Sequence, residues 1–111
     1  NFWAGWCKQC VGEMMGENKF KDLLKNKPLE WVYVSIDNDP AADQAITEKF
    51  KIRGKFTHVK GGWYAKEVQQ YGVSGLPAYY LIDKDGNFAR QHPPPPTNST
   101  ELILAIEKLL N

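Results

Sequence analysis

The sequence lacks most of the features that assign a partner class by composition. No apolar run among its 111 residues approaches the roughly 18 that would carry a helix across a bilayer, so no direct membrane insertion is expected of this segment. Charge of one sign is missing as well. The 14 basic residues are scattered and nearly balanced by 13 acidic ones, a net charge of +1, which gives nucleic acid no basic stripe to follow. Histidine is scarce: only His58 and His92 could complete a zinc site, and neither stands at ligand spacing from the cysteines, so no metal is expected. Internal repeats are absent, and the one low-complexity piece is Pro93 to Pro96, read as a stiff connection. With 42% hydrophobic and 13% aromatic residues the chain is not disordered, and its length suits one domain whose core needs no staple. Cysteine is the telling scarcity. There are only two, Cys7 and Cys10, and they share one stretch, Gly5-Trp6-Cys7-Lys8-Gln9-Cys10.

The pattern around that stretch alternates strand and helix. Phe2-Trp3-Ala4 is strand-like, and the chain reads as a fragment beginning inside a central strand. A helical pattern runs from Cys7 to Asn26, with Phe20, Leu23 and Leu24 at i, i+3 and i+4, weakened in its first half by Gly12 and Gly16. Trp31 to Ile36 is rich in β-branched and aromatic residues and predicts a strand. Asp39 as N-cap and Pro40 at the first helical position open a helix to about Phe50. Residues 51–62 read as a basic connection, 64–71 as a short helix ending at Gly72, and Ala78 to Ile82 as a strand. Asp83 to Asn87 forms a hairpin turn into Phe88 to Gln91, and Asn98 with Glu101 has capping-box spacing before a terminal amphipathic helix. The order β-α-β-α-α-β-β-α predicts an α/β fold, a mixed central sheet with helices on both faces.

Cys7 falls where the first strand passes into the first helix, so its sulfur meets unpaired backbone N–H groups and the positive end of the helix dipole. Such positions lower a thiol from about 8.5 to between roughly 3.5 and 7.5, and Lys8 adds to the effect. Residues three apart in a helical turn lie within disulfide range. The loop they would close is too short to constrain the unfolded chain much, which argues against a purely structural cross-link. A working dithiol/disulfide couple, a redox-silent pair and half of a metal site remain the options that the residues themselves allow.

Phe2-Trp3-Ala4-Gly5-Trp6-Cys7-Lys8-Gln9-Cys10 resembles the FWAxWCxxC signature of thioredoxin-like proteins, in particular TlpA/ResA-like thiol-disulfide oxidoreductases related to AhpC/TSA proteins. Glu13-Met14, the run Tyr71-Gly72-Val73-Ser74-Gly75-Leu76-Pro77-Ala78, and Tyr80 to Gly86 fall in the same order as in that branch, so the resemblance covers nearly all of the chain. It implies a thioredoxin-like fold as one domain over residues 1–111, with Cys7 the exposed nucleophile and Cys10 the resolving thiol. It also implies that Pro77 is the cis-proline facing the disulfide, that Trp6 and Leu76 help to bind substrate, and that Lys8 and Gln9 modulate the couple. The implied activity is disulfide exchange with partner proteins, as reductant rather than oxidant, fed by an upstream electron donor. No cofactor beyond the redox-active disulfide is implied, and the setting would be bacterial and extracytoplasmic, periplasmic or membrane-tethered. A peroxiredoxin-like thiol peroxidase and a non-catalytic binding module are the alternatives; the proline-threonine-cysteine motif of the former is missing.

Other residues carry weaker readings. Phe56-Thr57-His58 with Gly61-Gly62-Trp63 resembles an insertion of one branch of the family, which would bring His58 to the site rim; an exposed loop histidine is the plainer reading. Glu13 reads as a solvated carboxylate that could tune the thiols, and Lys19, Lys21, Lys25 and Lys27 as a solvated helix surface.

Overall fold

The computed structural model describes residues 1–91, 93, 96 and 99–110. The expectations placed on His92, on Asn98 as a cap and on the middle of the proline run lie outside those residues. The elements are β1 (Phe2–Trp3), α1 (Lys8–Leu23), β2 (Val32–Ser35), α2 (Pro40–Lys49), β3 (Lys55–His58), a 3-10 turn (Gly62–Tyr64), α3 (Lys66–Tyr71), β4 (Tyr80–Ile82), β5 (Phe88–Gln91) and α4 (Ser99–Leu110). Strands β1, β2 and β3 pair in parallel in that order, with Phe2 opposite Val34 and Ser35 opposite His58. Strands β4 and β5 form an antiparallel pair. An antiparallel bridge joins the two sets: Phe2 N–H donates to Ala78 O at 2.8 Å, and Ala78 N–H to Phe2 O at 3.2 Å.

One element departs from expectation. Residues 55–58, read as connection, form β3, an edge strand. Its Lys55, Phe56 and Thr57 are exposed and it lacks the alternation that marks a half-buried strand, so its register comes from β2. Gly54 sets that approach: at φ +153° a Cβ would lie 2.8 Å from the Tyr33 ring. Phe56 then stacks on that ring at 5.1 Å.

Alternation along the strands distributes the helices. Tyr33 and Ser35 of β2 point one way, to Glu17 of α1 and Asp43 of α2. Tyr79 points to that side too, toward α1, while its neighbour Tyr80 and Phe2 turn to the other, where they pack on Tyr71 of α3 at 5.5 and 5.3 Å. Phe20 and Leu24 at the end of α1 bury with Leu102 and Ile106 of α4. Helices therefore cover both faces of a mixed sheet, and the principal core (Phe2, Trp3, Cys10, Met14, Tyr33, Ile36 and Val68 among its members) runs through it.

Local chemistry explains the element ends. Asp39 Oδ1 accepts from the amides of Ala41 and Ala42 at 3.1 and 3.4 Å, capping α2 before Pro40. Gly72, at φ 68°, closes α3. Among the described residues no helix is long and apolar enough to cross a membrane.

Candidate active site

The site begins at the junction of β1 and α1. Strand β1 is buried and held by β2 on one side and by Ala78 on the other, so its end is fixed, and Ala4 to Trp6 turn the chain into the helix. Gly5 is gripped in that turn. Its N–H donates to Asp37 Oδ2 at 3.1 Å, and a Cβ on Gly5 would lie 3.0 Å from that oxygen and 3.1 Å from Asp43 Oδ1. Asp37 in turn accepts from Asp39 N–H through its other oxygen at 3.0 Å. Asp43 is buried and receives the Ser35 hydroxyl; burial first, then the Asp37 charge, push its carboxyl upward, with the Ser35 hydrogen bond opposing.

Cys7 is the N-cap of α1. Its Sγ accepts the Cys10 N–H at 3.2 Å, the role that Ser or Asp usually fills. Cys7 and Cys10 are joined by a disulfide, their Cα atoms 5.3 Å apart. Cys7, expected to be an exposed nucleophile, is less open than that: it is 8% exposed and Cys10 wholly buried, because both belong to the core cluster that also holds Ala65 and Val73. Of the pair, only Cys7 keeps a path to solvent.

The predicted residues gather around this disulfide unevenly. The Leu76–Pro77 peptide is cis, and Leu76, Pro77 and Tyr79 line one groove with Gln9 and Glu13 of α1. Trp6 is 57% exposed and its ring lies 6.4 Å from Trp63 of the 3-10 turn, which is itself 38% exposed. The 51–63 segment thus contributes an aromatic partner to Trp6. Lys8 is exposed on the first turn of α1 and has no described hydrogen-bond or ion-pair partner in the site. His58 is neither an open loop residue nor close to Cys7 in any described contact; it ends β3, half-buried, with Nε2–H donating to the Asp37 carbonyl.

Two polar readings are corrected. Glu13 is not simply solvated: it is half-buried, and Oε2 accepts the Tyr79 hydroxyl at 2.5 Å. Lys21 is buried, not part of a solvated face. Its Nζ donates to the Arg53 carbonyl and sits 4.7 Å from the Tyr33 ring centroid. Burial lowers it to about 8, partly offset by attraction to Glu17.

Glu17 is the residue that sequence reasoning missed. It is 1% exposed, accepts the Tyr33 hydroxyl on Oε1 at 2.5 Å, and meets the Tyr79 hydroxyl through Oε2 at 3.3 Å. Burial pushes its carboxyl up, against the Tyr33 hydrogen bond and the Lys21 charge. Burial also pushes both tyrosine hydroxyls up, so both keep their protons. The signal was present: Cys10, Met14 and Glu17 follow at i, i+4 and i+7, which places a carboxylate in the buried stripe of α1. Among the described residues no group of three or more His, Cys, Asp or Glu side chains is arranged to hold a metal ion.

Comparison with known proteins places this geometry. The family model described as Redoxin matches residues 1–104. The thiol-disulfide oxidoreductase ResA of Bacillus thuringiensis subsp. konkukian is 32% identical over 91 residues, which is 82% of this chain and 51% of that protein. ResA of Bacillus anthracis is 33% identical over the same shares of the two chains. The chain thus spans about half the length of the curated relatives it matches. In structure it resembles the thioredoxin domain of a thiol-disulfide oxidoreductase from Bacteroides vulgatus, with a TM-score of 0.78 at 22% identity, covering 99% of this chain and 76% of that one. A thiol-disulfide oxidoreductase from Bacteroides fragilis gives 0.79 at 20% identity, covering 93% and 76%. With the fold matched by these structures and the family model by nearly every residue, the chain belongs to the redoxin family, as a TlpA/ResA-like protein of thioredoxin fold.

Proposed function

We propose that this chain is a thiol-disulfide oxidoreductase that exchanges disulfides with partner proteins, Cys7 attacking and Cys10 resolving. One observation carries the reading: the Cys7 sulfur caps α1 and takes the Cys10 N–H at 3.2 Å, a donor equally suited to a thiolate, in the only cysteine of the pair that solvent reaches. The names of the ResA relatives support the activity. The groove along Leu76 and Pro77, which Gln9 of the Cys7–Cys10 stretch also lines, suits an extended peptide. Proline withholds an N–H, so pairing with a substrate strand falls to the Leu76 backbone. Trp6 and Trp63 give the peptide an apolar platform. Lys8 and Gln9 tune the couple, which works as a reductant supplied by an upstream donor in an extracytoplasmic compartment, without a metal or organic cofactor.

The test is reduction of an insulin-type disulfide substrate by dithiothreitol with and without the protein. Acceleration is expected, abolished by Cys7→Ser, while Cys10→Ser accumulates the mixed disulfide on Cys7. No acceleration over the reductant alone makes the domain a binding module, and rapid Cys7-dependent peroxide consumption makes it a peroxidase. Equilibration in glutathione buffers sets the direction: a potential near the roughly −270 mV of thioredoxin means reductant, one near about −120 mV oxidant.

A further inference from the structure

Gly5 takes the second place in the turn that ends on Cys7, whose N–H donates to the Ala4 carbonyl at 3.0 Å. Gly5 is not among the glycines of positive φ, so space rather than backbone conformation keeps the position small. A Cβ there would lie 3.0 Å from Asp37 Oδ2, 3.1 Å from Asp43 Oδ1 and 3.1 Å from Ile46 Cδ1. Two carboxyl groups, one following β2 and one on α2, thus close on the back of the turn that presents the nucleophile.

The two acids are not equivalent. Asp37 accepts on both oxygens, from Gly5 N–H at 3.1 Å and from Asp39 N–H at 3.0 Å. Asp43 accepts the Ser35 hydroxyl on Oδ2, while its buried Oδ1 has no hydrogen-bond partner among the described residues. Ser35 Oγ in turn accepts the Asp37 N–H at 3.0 Å, which joins the acids a second time. A carboxylate fed by two backbone donors is a stable place for charge; a buried one with a single donor, next to that charge, keeps a proton more readily.

We propose that Asp43 is a positioning residue for disulfide exchange: it walls the back of the Gly5 turn and, on losing its proton, sets a second negative charge there, so that the reactivity of Cys7 follows Asp43 as well as its own titration. The proposal rests on the disulfide-exchange reading above. Asp43 is not described as touching the sulfurs and acts on Cys7 through Gly5. A like charge behind the turn disfavours the Cys7 thiolate, the form that attacks a partner disulfide.

The groups packed around Asp43 fit this role. Asp37 opposes its charge from the end of β2, and burial acts in the same direction more strongly; the Ser35 hydroxyl, the nearby Gly5 amide and His58 of β3 draw the other way. Glu48, Lys51 and Arg53 line the cleft between α2 and β3 that Asp43 also lines. His58 is held on the Asp37 carbonyl through Nε2, so it braces the same unit from the edge strand.

The experiment alkylates the reduced chain with iodoacetamide across the pH range and locates the label by mass spectrometry, for wild type, Asp43→Asn, Asp43→Ala, Gly5→Ala and the two alanine changes together. Asparagine keeps the size of the side chain and an oxygen for the Ser35 hydroxyl but never gains a charge. Its Cys7 rate should match wild type at acid pH and exceed it as pH rises and Asp43 ionises, by roughly two- to tenfold, the size of a like-charge shift of up to about one pH unit. His58, Asp37 and the rest of the cleft are the same in both proteins, so the divergence isolates Asp43. Gly5→Ala should slow Cys7 by pressing on both carboxyl groups, and adding Asp43→Ala should recover part of that loss, so the two changes are not additive. The Asp43→Asn comparison stands even where an alanine variant fails to fold. Coincident wild-type and Asp43→Asn profiles overturn this proposal alone, as do additive effects of the two alanine changes. Absence of exchange in wild type itself overturns this proposal and the function together.

Discussion

Replacing Tyr33 by phenylalanine removes one oxygen from the most enclosed polar contact of the fold. The ring is wholly buried, stacked on Phe56 at 5.1 Å and lying 4.7 Å from Lys21 Nζ, and phenylalanine keeps that shape. What disappears is the 2.5 Å donation to Glu17 Oε1. Because Glu17 is 1% exposed, water cannot take the place of the hydroxyl, so the loss is that of a buried acceptor left unpaired, about 1–3 kcal/mol. For a domain of this size 1 kcal/mol corresponds to about 4 °C, so Tyr33→Phe should melt about 4–12 °C below wild type with the disulfide intact. Calorimetry at pH 7 decides it. The companion Tyr80→Phe loses a hydrogen bond to the Tyr71 carbonyl in a less buried place and should cost less. A Tyr33→Phe protein melting within 1 °C of wild type would refute the claim that the hydroxyl is what satisfies Glu17.

Three further outcomes follow from the same geometry. Gly12→Ala and Gly16→Ala should each stabilise by about 0.5–1 kcal/mol, since both sit inside α1 and a Cβ there meets no atom within 4 Å; urea titration reads the change. Asp39→Ala removes the acceptor for two amides at the start of α2 and should cost about 1 kcal/mol in the same assay. The folded value of Glu17 lies above its ordinary 4.5, so the stability it contributes is complete below about pH 4.5 and is lost as pH rises through the folded value. Melting temperatures of wild type should therefore fall relative to Glu17→Gln as pH increases from 4.5, and parallel profiles would contradict the assignment.

Legibility in the sequence followed how local each cause was. The Asp39-Pro40 start of α2 is fixed by residues adjacent in the chain, and so is the Asp83 turn, where Oδ1 accepts from Asp85 and Asn87 at 2.9 and 3.0 Å. Cys7 at a helix mouth is equally local. Strand β3 was hidden because its residues bury little and its pairing is dictated by β2 from 23 residues away. Lys21 and Glu17 were hidden for a related reason. Their residue types belong on a solvated face, and only the packing of Tyr33, Trp31 and Tyr79 over α1 turns that face inward. The partnership of Trp6 with Trp63 spans a 57-residue separation that no spacing rule reaches.

The paired hydrogen bonds between Phe2 and Ala78 tie together two stretches that are remote in the chain. One leads within five residues to Cys7, and the other follows directly on Pro77. Sulfur and groove are thus set against a common datum, like the two jaws of a calliper riveted at one point. A slip of one residue in that rivet would reverse the faces of β1 and move the jaws out of step. Alignment of the site is therefore a matter of strand register, and the side chains around it inherit their accuracy from two backbone hydrogen bonds.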